Sequence, residues 1–300
     1  MSLVVLITVL AFFETDFSSV AYSGPAAAAH GSVPPGRVDA GKMYQWPRRN
    51  MKYEPMSGRF PTPDGFKRVA VERNGYAYWL RHLPLLPAGT EVRDYRGNVL
   101  KSSSRVSAAV VDLDTGKRDL QQCIDTIMRL RAEYFWWKGE ADRTFFRYAG
   151  GKYVGWKHWR AGLRPEYKDR KTVFRRSGAK GASRKNFESF MTFMFAMTGT
   201  MHHVREPRVA FENMQAGDFF IHSPPRPGSL GHAVVILDLA RCPKGRVKAL
   251  IGQGYTPAQD LHVLKTPEGK DWYELNPDGA IPTPLWPVPF KWKDLARFRY

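Results

Sequence analysis

The stretch from Gly217-Asp218-Phe219-Phe220 to Gly231-His232-Ala233-Val234-Val235-Ile236-Leu237-Asp238 decides the fold. Its continuous Ala-Val-Val-Ile-Leu run reads as a strand covered on both faces, since a half-exposed strand would alternate apolar and polar residues. A proline-rich loop and a glycine precede His232, which places the imidazole at the mouth of that strand. A histidine so held has a fixed backbone behind it and an open ring in front, the arrangement a general base needs.

The chain offers two cysteines as candidate nucleophiles. Cys123 lies in Asp119-Leu120-Gln121-Gln122-Cys123-Ile124-Asp125-Thr126-Ile127-Met128, followed by Arg129-Leu130-Arg131-Ala132-Glu133-Tyr134. Asp119 fits an N-cap, with Gln122 three residues on completing a capping-box pattern. Cys123 then falls in the first helical turn, where unpaired N–H groups and the macrodipole favour a thiolate. The competing reading is a core cysteine, because Leu120, Cys123, Ile124, Ile127 and Met128 share one apolar stripe. Cys242, in Arg241-Cys242-Pro243-Lys244-Gly245, sits in a hairpin turn with no such help. A helix cysteine and a turn cysteine have no evident reason to pair, and a Cys123–Cys242 disulfide would abolish the thiolate.

The two segments together resemble the NlpC-type branch of the papain-like cysteine hydrolases. There a cysteine opens a helix, a Gly-His pair starts a strand, and a polar residue on the next strand orients the imidazole. Val247-Lys248-Ala249-Leu250-Ile251-Gly252-Gln253-Gly254 supplies that strand, and Gln253 matches the orienting position. The resemblance implies an α+β fold: a helix-plus-antiparallel-sheet core with an N-terminal extension and insertions. Gln122-Cys123-Ile124 replaces the family's Asp-Cys-Ser, and the 109 residues from Cys123 to His232 require an insertion.

A second resemblance spans most of the chain. Leu83-Pro84-Leu85-Leu86-Pro87, Gln121-Gln122-Cys123, the 128–134 helix segment, Gly231-His232-Ala233-Val234, Gln253-Gly254-Tyr255-Thr256-Pro257-Ala258-Gln259, His262-Val263-Leu264 and Asp271-Trp272-Tyr273 are similar, in order, to landmarks of the bacterial domain of unknown function 4846. That family implies no activity.

Composition frames these readings. Three hundred residues with 43% hydrophobic and 13% aromatic content are ample for a packed core and exclude a disordered or fibrous chain. No segment has the roughly 20 apolar residues that span a bilayer. Leu3 to Phe13 has signal-peptide length, and Ala26-Ala27-Ala28-Ala29 offers a cleavage site, so 1–30 is read as a signal peptide and the protein as secreted or periplasmic. That segment carries Glu14 and Asp16 and no lysine or arginine, so its removal takes the net charge from +18 to +20. Such a charge attracts polyanions. Outside the cytoplasm these would be anionic cell-wall polymers or peptides; with no nucleic-acid motif present, DNA or RNA binding is not expected.

Residues 31–65, rich in proline, glycine and arginine, read as an extended arm, and 66–300 as a single α+β domain. Within it, Val69-Ala70-Val71 and 107–113 read as strands, 76–86 as extended, 186–197 as a second helix, and 292–298 as a short C-terminal helix. Lys168 to Lys185, with Arg175 and Arg176, reads as an exposed basic loop. Tyr153, Trp156 and Trp159 beside Lys157 and Arg160 suit stacking on rings while cations hold carboxylates; the competing reading is core. His202-His203, His222 and His262 are read as structural, and no motif of zinc-ligand spacing appears, so neither metal nor cofactor is expected.

The functional expectation is thiol hydrolysis of an amide or ester, with cell-wall peptide as the candidate substrate: Cys123 attacks, His232 shuttles the proton, Gln253 orients it, and Gln121 or Gln122 with first-turn N–H groups steadies the oxyanion. The alternative is a non-catalytic envelope protein that binds anionic glycan or peptidoglycan. Asp238, at the far end of the strand, is a weaker alternative orienter.

Overall fold

The apolar run after His232 becomes the axis of an eight-stranded antiparallel sheet in the computed structural model, which describes residues 40–46, 53–226 and 229–299. The expected signal segment lies outside these residues, as do 31–39 and 47–52 of the expected arm. The strands are β1 (Lys67–Arg68), β2 (Ser107–Val110), β3 (Phe219–His222), β4 (His232–Arg241), β5 (Val247–Gln253), β6 (His262–Leu264), β7 (Tyr273–Leu275) and β8 (Leu295–Ala296). Their order is β8-β3-β4-β5-β6-β2, with β1 pairing a second segment of β4 and β7 a second segment of β5. Every residue of β4 except Arg241 is buried, which is why its sequence lacks alternation.

Two long helices complete the core, α1 (Cys123–Trp137) and α2 (Arg184–Met197). The α1 helix packs against β4 and β5. Two glycines at the strand ends permit close approaches, Gly254 that of α1 and Gly231 that of Thr200 and the His222 carbonyl. A Cβ on Gly254 would lie 2.4 Å from Thr126 Oγ1 and 3.1 Å from the Gln122 carbonyl, both in the first turn of α1. A Cβ on Gly231 would lie 2.3 Å from Thr200 Oγ1 and 2.4 Å from the His222 carbonyl. The Gly-His pair is thus a packing requirement as well as a motif.

The α1 helix starts later than its sequence suggests. Gln122 is the N-cap, and Asp125 accepts from its backbone N–H at 3.3 Å. Asp119 instead accepts from Ala258 N at 2.7 Å and from Gln122 Nε2 at 3.0 Å, tying the helix entrance to the loop after β5. Tertiary hydrogen bonding has taken the carboxylate that local capping would have used.

Other local readings shift for similar reasons. Residues 76–86 contain a helix, Tyr76–Arg81, with Trp79 and Leu80 fully buried; a short apolar run does not distinguish strand from helix by periodicity alone. The strand expected at 69–71 is displaced to β1. The expected C-terminal helix is one 3-10 turn, Trp292–Asp294, followed by β8, whose backbone satisfies the edge of β3. Much of the basic 168–185 stretch is the second half of a hairpin, Leu163–Lys168 with Lys171–Arg176, turned by Asp169 and Arg170 at positive φ. In the described part of the expected arm, Tyr44, Trp46, Met56 and Phe60 are buried, and Tyr44 donates to the Trp79 carbonyl at 2.7 Å. Aromatic burial outweighs a composition that locally suggests a free arm.

Asp238 marks a register shift in β4 and is fully buried. Its carboxylate accepts from Arg68 Nε at 2.7 Å and Arg81 Nε at 2.9 Å, which binds β1 and the Tyr76–Arg81 helix to the sheet. Asp238→Ala would strand both guanidinium groups and should lower unfolding free energy by about 3–5 kcal/mol, read from the denaturant midpoint; a loss under about 1 kcal/mol would show the pair to be dispensable.

Candidate functional site

Cys123 is the first residue of α1, is 6% exposed, and is among the residues lining a cleft of about 240 Å³ together with Gln122, Phe195, Thr200, Leu230 and Gly231. The backbone N–H groups of Ala233, the residue that follows His232, of Ile124 and of Cys123 itself act to lower the thiol pKa. These donors are the first-turn help that the sequence suggests, but they do not win. Burial, reinforced by the nearby Asp125 carboxylate, pushes the thiol pKa up to about 12. Burial also holds the Asp125 carboxyl well above the ordinary carboxylate range. The resting group is a thiol, and the expectation of a resting thiolate is corrected: removal from water costs the anion more than three N–H groups return.

His232 opens β4. Its Nε2 lies 2.8 Å from Gln253 Oε1, on the adjacent strand β5. The ring is not open in front as its sequence position suggests; it is 2% exposed. Tyr255 meets it edge-on at 4.8 Å and Trp286 lies over it at 5.1 Å between ring centres. The covering segment is anchored by Tyr255 OH donating to the Leu285 carbonyl at 2.7 Å and Trp286 Nε1 donating to His222 Nδ1 at 3.0 Å. His222 in turn faces Asp294 through Nε2 at 3.0 Å. Burial depresses the His232 pKa to about 4, against the opposing pull of the Gln253 hydrogen bond. The Tyr255 phenol, edge-on to His232, also lies within electrostatic reach of the Cys123 sulfur.

The remaining sequence candidates lie elsewhere or are already engaged. Gln121 donates to the Asp114 carbonyl at 3.1 Å and accepts from Arg129 at 3.2 Å. Gln122 gives its Nε2 to Asp119 and accepts from Thr256 Oγ1 at 3.1 Å. Neither side-chain amide is aimed at the thiol, which leaves main-chain N–H groups as the donors there. Trp156 and Trp159 are 1% and 7% exposed, packed among Phe187, Phe190 and Phe193, so their ring faces are taken by core neighbours. Tyr153 donates to Glu206 at 3.1 Å, and Arg175 pairs with Glu166 at 2.6 Å on the exposed hairpin with Arg176. None of these five lines the cleft. Cys123 and Cys242 are both free.

Two larger hollows, about 500 Å³ beside Asp238 and about 270 Å³ beside Arg129 and Glu133, hold no nucleophile next to a histidine among their described lining residues; Asp238 is paired with Arg81, and Arg129 with Glu133. Among the described residues no group of three or more His, Cys, Asp or Glu gathers to hold a metal. Sequence reading missed Tyr255 and Trp286 as the cover over His232, and His262 as a neighbour of Gln253. Only the last had a signal: β5 and β6 are nine residues apart at this pair and their hairpin places Gln253 opposite His262.

Fold and site define an α+β protein with a buried cysteine at a helix start and a buried histidine–glutamine hydrogen bond between adjacent strands. The chain belongs to the family described as Domain of unknown function (4846), whose model matches residues 56–297. Nothing among the curated proteins or the solved structures matches it.

Burial depresses His262 to about pKa 4 as well. Both histidines are ordinarily near 6.5 in an unfolded chain, so as pH falls below about 6.5 the unfolded state takes up protons that the folded state refuses. The stability they lend is complete above that pH and is lost toward pH 4. Unfolding free energy should fall between pH 6.5 and 5 with a limiting slope of about 1.4 kcal/mol per unit for each histidine. Denaturant titrations across that window check this, and a flat profile would show that the rings are not held neutral.

Proposed function

We propose that the protein is a cysteine hydrolase with a papain-like helix-and-sheet core, in which Cys123 attacks an amide or ester carbonyl, His232 carries the proton and Gln253 orients the imidazole. The observation that carries this reading is the 2.8 Å hydrogen bond from His232 Nε2 to Gln253 Oε1, made at the start of the strand whose Ala233 N–H acts to lower the Cys123 thiol pKa. A carbonyl oxygen can only accept, so that bond keeps a proton on Nε2 and leaves Nδ1 with a lone pair. Because thiol and imidazole rest neutral, the thiol proton passes to Nδ1 as sulfur bonds to the substrate carbon. The tetrahedral oxyanion is met by first-turn main-chain N–H groups, and the imidazolium then protonates the departing amine or alcohol. Water attacks the acyl-enzyme by the same route and restores the thiol.

The cleft walls suit a neutral or apolar acyl group better than an anionic one. Among the described residues no lysine or arginine lines them, and Met201 and Leu230 at the rim are 61% and 57% exposed. The net charge of +18 therefore favours docking on an anionic cell-wall polymer away from the reacting atoms, in keeping with a secreted or periplasmic enzyme acting on wall peptide.

A second reading is favoured by the covered imidazole and the raised thiol pKa: a non-catalytic envelope protein that binds anionic glycan. Alkylation with iodoacetamide at pH 7.5 separates the two. The hydrolase reading expects Cys123 in native protein to react, more than about 10-fold faster in Trp286→Ala, and Cys123→Ala to abolish turnover of activated esters. Cys123 that reacts only on unfolding in both proteins, with no Cys123-dependent turnover, would leave the binding protein.

A further inference from the structure

Gln253 raises a question that its bond to His232 does not answer. A side-chain amide can present either its oxygen or its NH2 group, and only the oxygen fixes the proton on His232 Nε2. The decision must come from the other end of the amide. There Gln253 Nε2 lies 3.3 Å from His262 Nε2, and His262 Nδ1 lies 3.0 Å from the main-chain carbonyl of Asp260.

Each group along this line has only one role open to it. The Asp260 carbonyl only accepts, so His262 Nδ1 carries the hydrogen. A neutral His262, which burial enforces, then has a lone pair at Nε2. A lone pair requires a donor, so Gln253 must turn its NH2 group to His262 and its oxygen to His232. The starting point is rigid: Asp260 N donates to the Arg93 carbonyl at 2.9 Å while its carboxylate accepts Arg93 N at 2.9 Å. Gln253, His262 and His232 are fully or almost fully buried, so water is not at hand to supply an alternative partner.

We propose that His262 is a positioning residue: it orients the Gln253 amide and, through it, holds His232 as the Nε2–H tautomer whose free Nδ1 lone pair is the base. This orientation stands as a statement about the resting protein; its catalytic consequence rests on the hydrolase reading above.

The test is long-range 15N–1H NMR of the full chain with 15N-labelled histidine, with His232 and His262 signals assigned by single substitution. In the unsubstituted protein His232 should carry its proton on Nε2 and His262 on Nδ1. His262→Leu should shift the His232 nitrogens toward a mixture of tautomers and lower kcat on an activated ester by about 10- to 100-fold with KM little changed. His262→Gln, whose side-chain oxygen can again accept from Gln253, should recover part of both. A His232 proton on Nδ1, or an unaltered tautomer in folded His262→Leu, would overturn the proposal. Should the leucine variant not fold, the unsubstituted spectrum and His262→Gln decide it. The expected tautomers without any Cys123-dependent turnover would uphold the relay and remove the hydrolase, whereas turnover with the wrong tautomer would remove the relay alone.

Discussion

Burial of β4 on both faces is the constraint from which the remainder follows. A strand sealed in this way leaves no water for any polar group it carries, so each must find a partner inside the protein. At one end Asp238 takes two arginines, which fastens the β1 segment and the Tyr76–Arg81 helix to the sheet. At the other end His232 takes Gln253. The same demand organises α1, where buried Glu133 is bound by Arg129 of its own helix and by Arg184 of α2. Polar pairing adds direction to a core whose bulk stabilisation is apolar.

The chemistry inherits this dryness. A thiol and an imidazole in water would share their proton readily near neutrality, but here burial drives both toward their neutral forms. On the proposed hydrolase reading such a site moves a proton during attack and stores no thiolate beforehand. The rings of Tyr255 and Trp286 over His232 belong to the same economy of water exclusion, and the Trp286 indole is held by His222 rather than by the site itself.

The legible parts were those governed by short-range pattern. The two-face burial of β4, the Gly231-His232 entrance, the helix that contains Cys123 and the adjacent strand bearing Gln253 all follow from runs of residues whose spacing has one structural solution. The illegible parts were those in which a distant partner overrode a local preference. Asp119 left the helix cap for Ala258, Trp156 and Trp159 turned inward to the phenylalanines of α2, and 76–86 coiled because Trp79 had a pocket to fill. The aromatic content of 153–159 was visible, but which way those rings point depends on a helix nearly thirty residues away.

What the sequence alone determined is the inventory and its order: one buried strand, one cysteine at a helix start, one histidine at a strand start, a glutamine on the strand after it, and a strongly basic surface. Those are consequences of local periodicity, capping chemistry and charge, which act over a few residues. The tertiary structure decided protonation and access. Whether Cys123 rests as thiol or thiolate, whether His232 is open or roofed, and which end of the Gln253 amide faces it depend on burial and on His262, Trp286 and Asp260. These groups meet only when strands and loops far apart in the chain are brought together.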